Sequence, residues 1–335
     1  MLQLSLILVF FFILNFSLET RSGDLSPSET VSNQEIEKSV NQKSVNELEK
    51  KTDAKSEIKI EKKTEISIND FCFNALKKYK NLDKNNKNEE LLKKSCKEVM
   101  AINSCKSSLG QPIFHLDKNS SFSNTTFNSS KKIKVVQPKN ILVISLIHGD
   151  EIGAGSLSRY WMERLQQIDP RNNWRIIPVA NPDGADSKTR TNANGVDLNR
   201  NFPTSDWESM AKNYWQSEAH SSQRKFPGVK AASEPEVNCI LDHLKEFKPE
   251  FVISIHTPLS VLDFDGPKLS APKFDYLPWK RLGNFPGSLG RLLWVEQQVP
   301  VLTAELKSDL PKDERIFDQL QDVIGQLVQK EFPSK

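Results

Sequence analysis

Charge of one sign is the first thing this 335-residue chain lacks: 46 Lys and Arg stand against 43 Asp and Glu, and the two signs are interleaved. A nucleic-acid binder would carry a basic face or domain, so no nucleic-acid partner is expected. Apolar residues are sparse at 37%, yet the length allows two domains of roughly 100–200 residues, or one large domain with appendages, and a sizeable core. Cysteine is limited to Cys72, Cys96, Cys105 and Cys239, and no CxxC spacing occurs, which weakens any cysteine zinc site. Histidine is equally sparse, with five in all.

The most apolar stretch is at the very start. MLQLSLILVFFFILNFSL is either a signal-peptide core or one short membrane anchor, since a span needs about 20 apolar residues. No Lys or Arg precedes it, no Cys follows it for lipid attachment, and Thr20-Arg21-Ser22 is the best cleavage site it offers. Residues 1–22 are therefore read as signal peptide or N-terminal membrane anchor, with export to a periplasmic or envelope compartment. Residues 23–64 are almost wholly polar and lack the apolar density that offsets chain entropy, so they read as a disordered tether.

Apolar spacing returns in residues 65–105, where Phe71, Phe73, Leu76, Leu91, Leu92, Val99 and Met100 fit a small helical hairpin. It carries three of the four cysteines, and an exported location favours a disulfide, though the pairing stays open. Cys239 falls in the apolar pattern of a later helix and reads as a buried free thiol. The stretch from Phe114 to Lys132 reads as a polar loop, with N-x-S/T triplets at Asn119, Asn124 and Asn128.

Chemistry begins at Ile141. The run ILVISLI has the character of a strand buried on both faces, and it feeds into His148, Gly149, Asp150 and Glu151 and then into a helical pattern. A second run, FVISI, ends the same way on His256. Ligands bind beyond the carboxyl ends of strands in open α/β sheets, so His148, Glu151 and His256 can converge there. Two imidazoles and a carboxylate are the three-ligand set of a catalytic Zn2+ site with its fourth position open for water. Asn181 to Gly184 (NPDG) has turn composition. The segment Arg190 to Pro203 concentrates arginines and amides suited to holding a carboxylate and polarising a carbonyl. Pro300 to Glu305 reads as another buried strand, ending in a carboxylate suited to a general base.

These pieces, in this order, resemble the zinc metallocarboxypeptidases of the funnelin type, and within them the murein peptide amidase branch. The motifs that carry the likeness are HGDE, NPDG, NGVDLNRNFP, SEPE at Ser233 to Glu236, SIHTP, PGSLG at Pro286 to Gly290, and LTAEL. The resemblance implies that His148, Glu151 and His256 hold one Zn2+ and that Glu305 deprotonates the attacking water. It further implies that Asn199 and Arg200 grip the substrate's free C-terminal carboxylate and that Asp197 orients His148 from behind. Ser288 in the PGSLG loop is expected at the substrate. Two positions depart from the family pattern: Ser187 stands where relatives carry an oxyanion-stabilising Arg, leaving Arg190 to supply that charge, and Phe285 stands where a Tyr is usual.

The fold implied is α/β, a three-layer α/β/α domain over residues 106–335 with a mostly parallel mixed central sheet, preceded by the small helical segment and closed by a helix burying Ile316, Leu320, Val323, Ile324 and Leu327. The expected activity is zinc-dependent hydrolysis of an amide next to a C-terminal residue, in a murein peptide at the γ-D-Glu–diaminopimelate bond, with Asp263 and Asp265 meeting the spare ammonium of diaminopimelate. Two alternatives stand beside it. One is an N-acyl amino acid deacylase of the aspartoacylase and succinylglutamate desuccinylase kind, and the other a catalytically silent peptidoglycan-binding module.

Overall fold

The strand Asn140–Ser145 (NILVIS) is buried at every position but its first, and Phe251–His256 (FVISIH) at all six. Side chains alternate across a sheet, so a strand apolar at every position must be covered on both faces. The computed structural model of the protein, which describes residues 66–83, 89–121, 137–308 and 315–329, shows that covering. The leader of residues 1–22 and the whole of the proposed tether lie outside the described residues, as do Asn124 and Asn128 of the triplets. Among the described residues no helix is long and apolar enough to cross a membrane.

In chain order the elements are helices α1 (Ile68–Leu76) and α2 (Glu90–Lys97), strands β1 (Leu116–Lys118) and β2 (Asn140–Ser145), α3 (Ile152–Leu165), β3 (Asn173–Ile177), α4 (Pro182–Ser187), α5 (Lys212–Ser217), α6 (Pro235–Phe247), β4 (Phe251–His256), β5 (Val261–Asp265), β6 (Val301–Glu305) and α7 (Arg315–Val328). Short 3-10 or π turns at Leu198–Arg200, Trp207–Ala211, Gln223–Lys225 and Arg291–Glu296 fill the connections. The six strands form one sheet in the order β1-β3-β2-β4-β6-β5, with parallel pairing from β3 through β6 and an antiparallel strand at each edge.

Ile141 and Val143 point into a core shared with Leu157 and Trp161 of α3 and Leu320 of α7, whereas Leu142 and Ile144 point into one shared with Val237 and Ile240 of α6. Those are the three layers. Helix α3 lies between the sheet and the pair α1 and α2, so its polar residues Ser156, Ser158, Arg159 and Glu163 are buried. At Gly155 a Cβ would stand 2.7 Å from the Tyr79 ring, so only glycine lets that segment close over the helix. The buried Arg159 there pairs with Glu163 at 2.9 Å and donates to the Tyr79 carbonyl at 2.8 Å.

Two disulfides close the described structure: Cys72–Cys96 joins α1 to α2, and Cys105–Cys239 joins the segment before β1 to α6. The second corrects the expectation of a free thiol at Cys239. The apolar pattern of α6 places Cys239 inward, but its partner lies 134 residues earlier in the chain. The polar stretch after Phe114 also differs from a plain loop, because Leu116–Lys118 pairs with β3 as an edge strand and Asp117 binds Arg175 through two hydrogen bonds of 2.8 and 2.7 Å. Three residues of mixed polarity show no period to read. NPDG, read as a turn, is the start of α4, where the Asn181 side chain caps the helix by accepting from the Gly184 N–H.

Candidate active site

After β2 the chain passes to β3 on one side, and β4 lies on the other, so the carboxyl ends of β2 and β4 border a topological switch point. His148 follows β2 through a tight turn in which Leu146 takes the left-handed conformation at φ 51°, costly for a branched side chain. Glu151 stands at the N-terminus of α3, and His256 is the last residue of β4. In the parallel register His256 pairs with Glu305, the last residue of β6, so a carboxylate and one imidazole enter the same crevice side by side.

The buried His148 Nδ1 lies 2.8 Å from Glu151 Oε1 and 3.2 Å from His256 Nδ1, and His256 Nδ1 lies 2.9 Å from Glu151 Oε2. Both outer ring nitrogens are engaged elsewhere: His148 Nε2 with Asp197 Oδ1 at 3.1 Å and His256 Nε2 with Ser254 Oγ at 2.9 Å. A proton on each Nε2 leaves both Nδ1 lone pairs facing a carboxylate, an arrangement of acceptors that calls for a cation in their midst. The donor atoms lie within 4.8 Å of one another, and two imidazoles with one carboxylate fit the hardness and coordination number of Zn2+. One other such cluster occurs among the described residues, Cys105, Cys239 and His243, but its sulfurs are joined as a disulfide.

Electrostatics follow the packing. Burial opposes ionisation of Glu151, yet the imidazoles of His256 and His148 outweigh it and hold its carboxyl well below the usual carboxylate range. Asp197 is held low in the same way, chiefly by Arg190 against its own burial. Arg190 grips Asp197 Oδ2 through Nε at 3.0 Å and Nη2 at 2.9 Å, and its Nη1 lies 3.2 Å from His148 Nδ1. Glu305 goes the other way: burial raises its carboxyl, with a single backbone donor, the Leu259 N–H, on Oε2 at 3.3 Å.

All these groups except Asp197 line one cavity of about 300 Å³, together with Asn199, Arg200, Asp263, Asp265, Asn284, Phe285 and Ser288. Asp197 stands behind His148, fully buried. Asn199 accepts from the Leu289 N–H at 2.9 Å, which ties it to the PGSLG loop, and Ser288 accepts from the Arg291 N–H. Arg200 donates to the Asn199 carbonyl at 2.6 Å, while its buried Nε has no protein partner. Ser187 is exposed at the end of α4, and the cavity is lined by Arg190 instead. Asp263 and Asp265, two apart on β5, point to the same side. Asp263 accepts from the Leu282 N–H at 3.0 Å, and Asp265 Oδ1 and Asn284 Oδ1 are buried without partners. Burial, and then the neighbouring Asp263, push the Asp265 carboxyl up to about 6.

Sequence reasoning passed over three contributors. Ser254 had a visible signal, since it stands two residues before His256 on the same strand and so shares its face. The Thr257 N–H, which donates to Glu151 Oε2 at 3.2 Å, and Asn284 in the loop before PGSLG had none.

A family profile described as zinc carboxypeptidase matches residues 89–268. The chain is 35% identical over 177 residues to murein peptide amidase A of Vibrio campbellii, a match covering 49% of this chain and 68% of that protein. It is 33% identical over 124 residues to murein peptide amidase A of Escherichia coli K12, covering 36% of this chain and half the length of that relative. Bovine thrombin-activatable fibrinolysis inhibitor, solved in complex with tick carboxypeptidase inhibitor, shares the fold with a TM-score of 0.53 at 18% identity, over 76% of this chain and 97% of that one.

Proposed function

The chain belongs to the zinc carboxypeptidase family, and from that premise we propose that it hydrolyses the amide next to a C-terminal residue in murein peptides, at the γ-D-Glu–diaminopimelate bond. It is a metallopeptidase by that membership. One observation carries the reading: buried His148, Glu151 and His256 converge in the same cavity as Glu305 and as Arg200, a guanidinium with N–H donors to spare.

His148, Glu151 and His256 would hold Zn2+, which when bound supplies a Lewis acid and brings the pKa of a water towards neutrality. Asp197 keeps the His148 proton on Nε2 and so leaves Nδ1 free. Glu305 takes a proton at its carboxylate from the attacking water and returns it to the leaving amine nitrogen. Arg190 provides positive charge for the carbonyl oxygen. Arg200 holds the terminal carboxylate with the Asn199 amide N–H2, whose Oδ1 is already engaged by Leu289, and Ser288 borders the same end. Fixing the substrate's end in this way sets the scissile bond in line with the attack.

The chemistry of the far wall favours a residue with a spare ammonium. Asp263, Asp265 and Asn284 offer acceptor oxygens, two of them buried and unpartnered, and an ammonium has three N–H donors to meet them. Diaminopimelate has that group, and the relatives' name points to the same polymer. An oxidising envelope compartment suits the apolar opening run and the two disulfides.

The test is to purify the protein, measure bound zinc, and assay L-Ala-γ-D-Glu-diaminopimelate beside ordinary C-terminal peptides and N-acyl amino acids, with Glu305→Gln as control. Turnover of the tripeptide that Glu305→Gln abolishes supports the reading. Turnover of N-acyl amino acids alone overturns it in favour of a deacylase, and bound zinc with no turnover of any of them overturns it outright.

A further inference from the structure

A second set of metal-ligand side chains stands on α6, and none of its members lines the catalytic cavity. Cys239 and His243 are one helical turn apart and so share a face, and Cys105 reaches that face from the segment before β1. One ring nitrogen of His243 and the two sulfurs lie within 4.8 Å of one another, and all three side chains are buried. The two cysteines are 134 residues apart in the chain, which is why no CxxC spacing announces them.

Cys105 does not depend on the sulfur bond for its place. Before it the Ser104 hydroxyl donates to Asp242 of α6 at 2.8 Å, and after it the Ser108 N–H donates to Glu236 of α6 at 2.8 Å. Its own N–H donates to the Ile102 carbonyl at 2.8 Å, and its carbonyl accepts from the Ile113 N–H at 3.0 Å. Breaking the disulfide would therefore leave two thiols facing each other and His243. That ring is loosely held: Nε2 has no hydrogen-bond partner among the described residues, and Nδ1 lies 3.3 Å from Arg175 Nη1. The guanidinium has shorter bonds elsewhere, of 2.8 and 2.7 Å to Asp117 and 3.0 Å to Glu246. A neutral imidazole with its proton on Nε2 can thus turn the Nδ1 lone pair to an ion. Charge is the last condition, because Arg175 stands beside the ring. Two thiolates and one divalent ion sum to zero, so the assembled site puts no net charge next to the guanidinium.

We propose that Cys105, Cys239 and His243 form a second, redox-gated metal site: as a disulfide the cysteines staple the segment before β1 to α6, and after reduction the same side chains hold Zn2+ as a Cys2His set with the fourth position open to water. A dithiol reductant supplies two electrons and leaves as its own disulfide, while Cys105 and Cys239 each take up a proton. Zn2+ then displaces those two protons from the sulfurs, and an oxidising disulfide reverses both steps and releases the ion. Cys105 is buried but lies between exposed Ser104 and Lys106, which gives the reductant its approach. The inference is independent of the peptidase reading.

The full chain, its catalytic site saturated with Zn2+, is compared as wild type, His243→Gln, Cys105→Ser and the double variant Cys72→Ser with Cys96→Ser. Each is measured before and after treatment with a dithiol, which is removed under argon before Zn2+ is added back. Reduced wild type and the reduced double variant are expected to hold one further Zn2+ per chain. With Co2+ as the probe, both show a thiolate-to-metal charge-transfer band that Cys105→Ser lacks. His243→Gln matches the zinc content of wild type while disulfide-bonded, and after reduction binds the further ion about a hundredfold more weakly. Zn2+ also slows alkylation of Cys105 and Cys239 in reduced wild type by roughly tenfold or more, a readout that needs no substitution. No gain of zinc in a reduced protein that keeps its near-ultraviolet circular dichroism overturns the proposal. So does loss of that signal on reduction, since the three donors then do not stay together. A further ion held equally by His243→Gln belongs to the thiols alone, and one missing from the Cys72 and Cys96 double variant belongs to the other pair; either result overturns the three-residue site.

Discussion

The molecule holds two pairs of buried histidines at almost the same spacing. His148 and His256 have ring centroids 4.9 Å apart, and His115 and His243 4.7 Å. Proximity therefore distinguishes nothing. The first pair faces the Glu151 carboxylate, and His148 also binds Asp197, so negative charge overcomes burial and raises the affinity of His148 for a positive charge. The second pair packs against Arg175, which lies 3.3 Å from His243 Nδ1; burial and then that guanidinium lower His115 to about 4, and burial, His115 and Arg175 together lower His243 to about 3. A buried imidazole becomes a cation ligand or a neutral core residue according to the sign of what surrounds it.

Stripping the first pair of its cation should have the largest effect. Exhaustive chelation is expected to abolish peptide hydrolysis and to lower Tm, with both restored by added Zn2+, whereas substituting His243 leaves zinc content untouched. Hydrolysis that survives chelation would falsify the metal reading. Next comes Glu305→Gln, which keeps the shape of the site and loses the proton acceptor: kcat should fall by about 10²–10⁴-fold at unchanged zinc content. A loss below tenfold in a steady-state assay would reassign the base.

Asp265 sharpens the comparison from the acidic side, as a carboxyl whose surroundings raise it. Asp265→Asn should reduce kcat/KM for diaminopimelate-ended peptides by roughly tenfold or more and barely change peptides ending in neutral residues. The variant also has a stability signature. A carboxyl raised to about 6 when folded stabilises the fold below the unfolded value near 3.8 and loses that contribution as pH rises through about 6. Removing the carboxyl should therefore raise Tm at pH 8 more than at pH 4.5. Equal shifts at both pH values would mean that Asp265 is ionised without penalty.

The smallest effect belongs to the second histidine pair. Histidines lowered when folded stabilise at pH values above about 6.5 and lose that contribution as pH falls towards 4 and then 3. The wild-type protein should lose several degrees of Tm between pH 7 and 4.5, and His243→Gln should flatten that fall even if it lowers Tm overall. A slope identical in both proteins would place the acid sensitivity elsewhere.

The fold was legible wherever a strand is covered on both faces or a helix has one apolar stripe: β2, β4, β6 and α7 announce themselves by run length and spacing. Edge strand β1 was not, because three residues with one buried side chain leave no period, and its pairing depends on Arg175 reaching Asp117. The cavity follows the same division. His148, His256 and Glu305 could be placed at strand ends from the sequence, since a strand end next to a switch point is a local property. Asn284 could not, because it lies in an irregular stretch and acquires its meaning from Asp265 on the neighbouring edge strand.

By itself the amino-acid order determined the alternation of buried strands and covering helices, and which chemically capable side chains stand where strands stop, because hydrophobic period and residue type act over a few neighbouring positions. Tertiary structure alone decided that Cys239 meets Cys105, and that one buried histidine pair sits among carboxylates while the other sits beside a guanidinium. Those outcomes depend on the field and contacts of groups brought together by the sheet from segments more than 50 residues apart, and no local period encodes them.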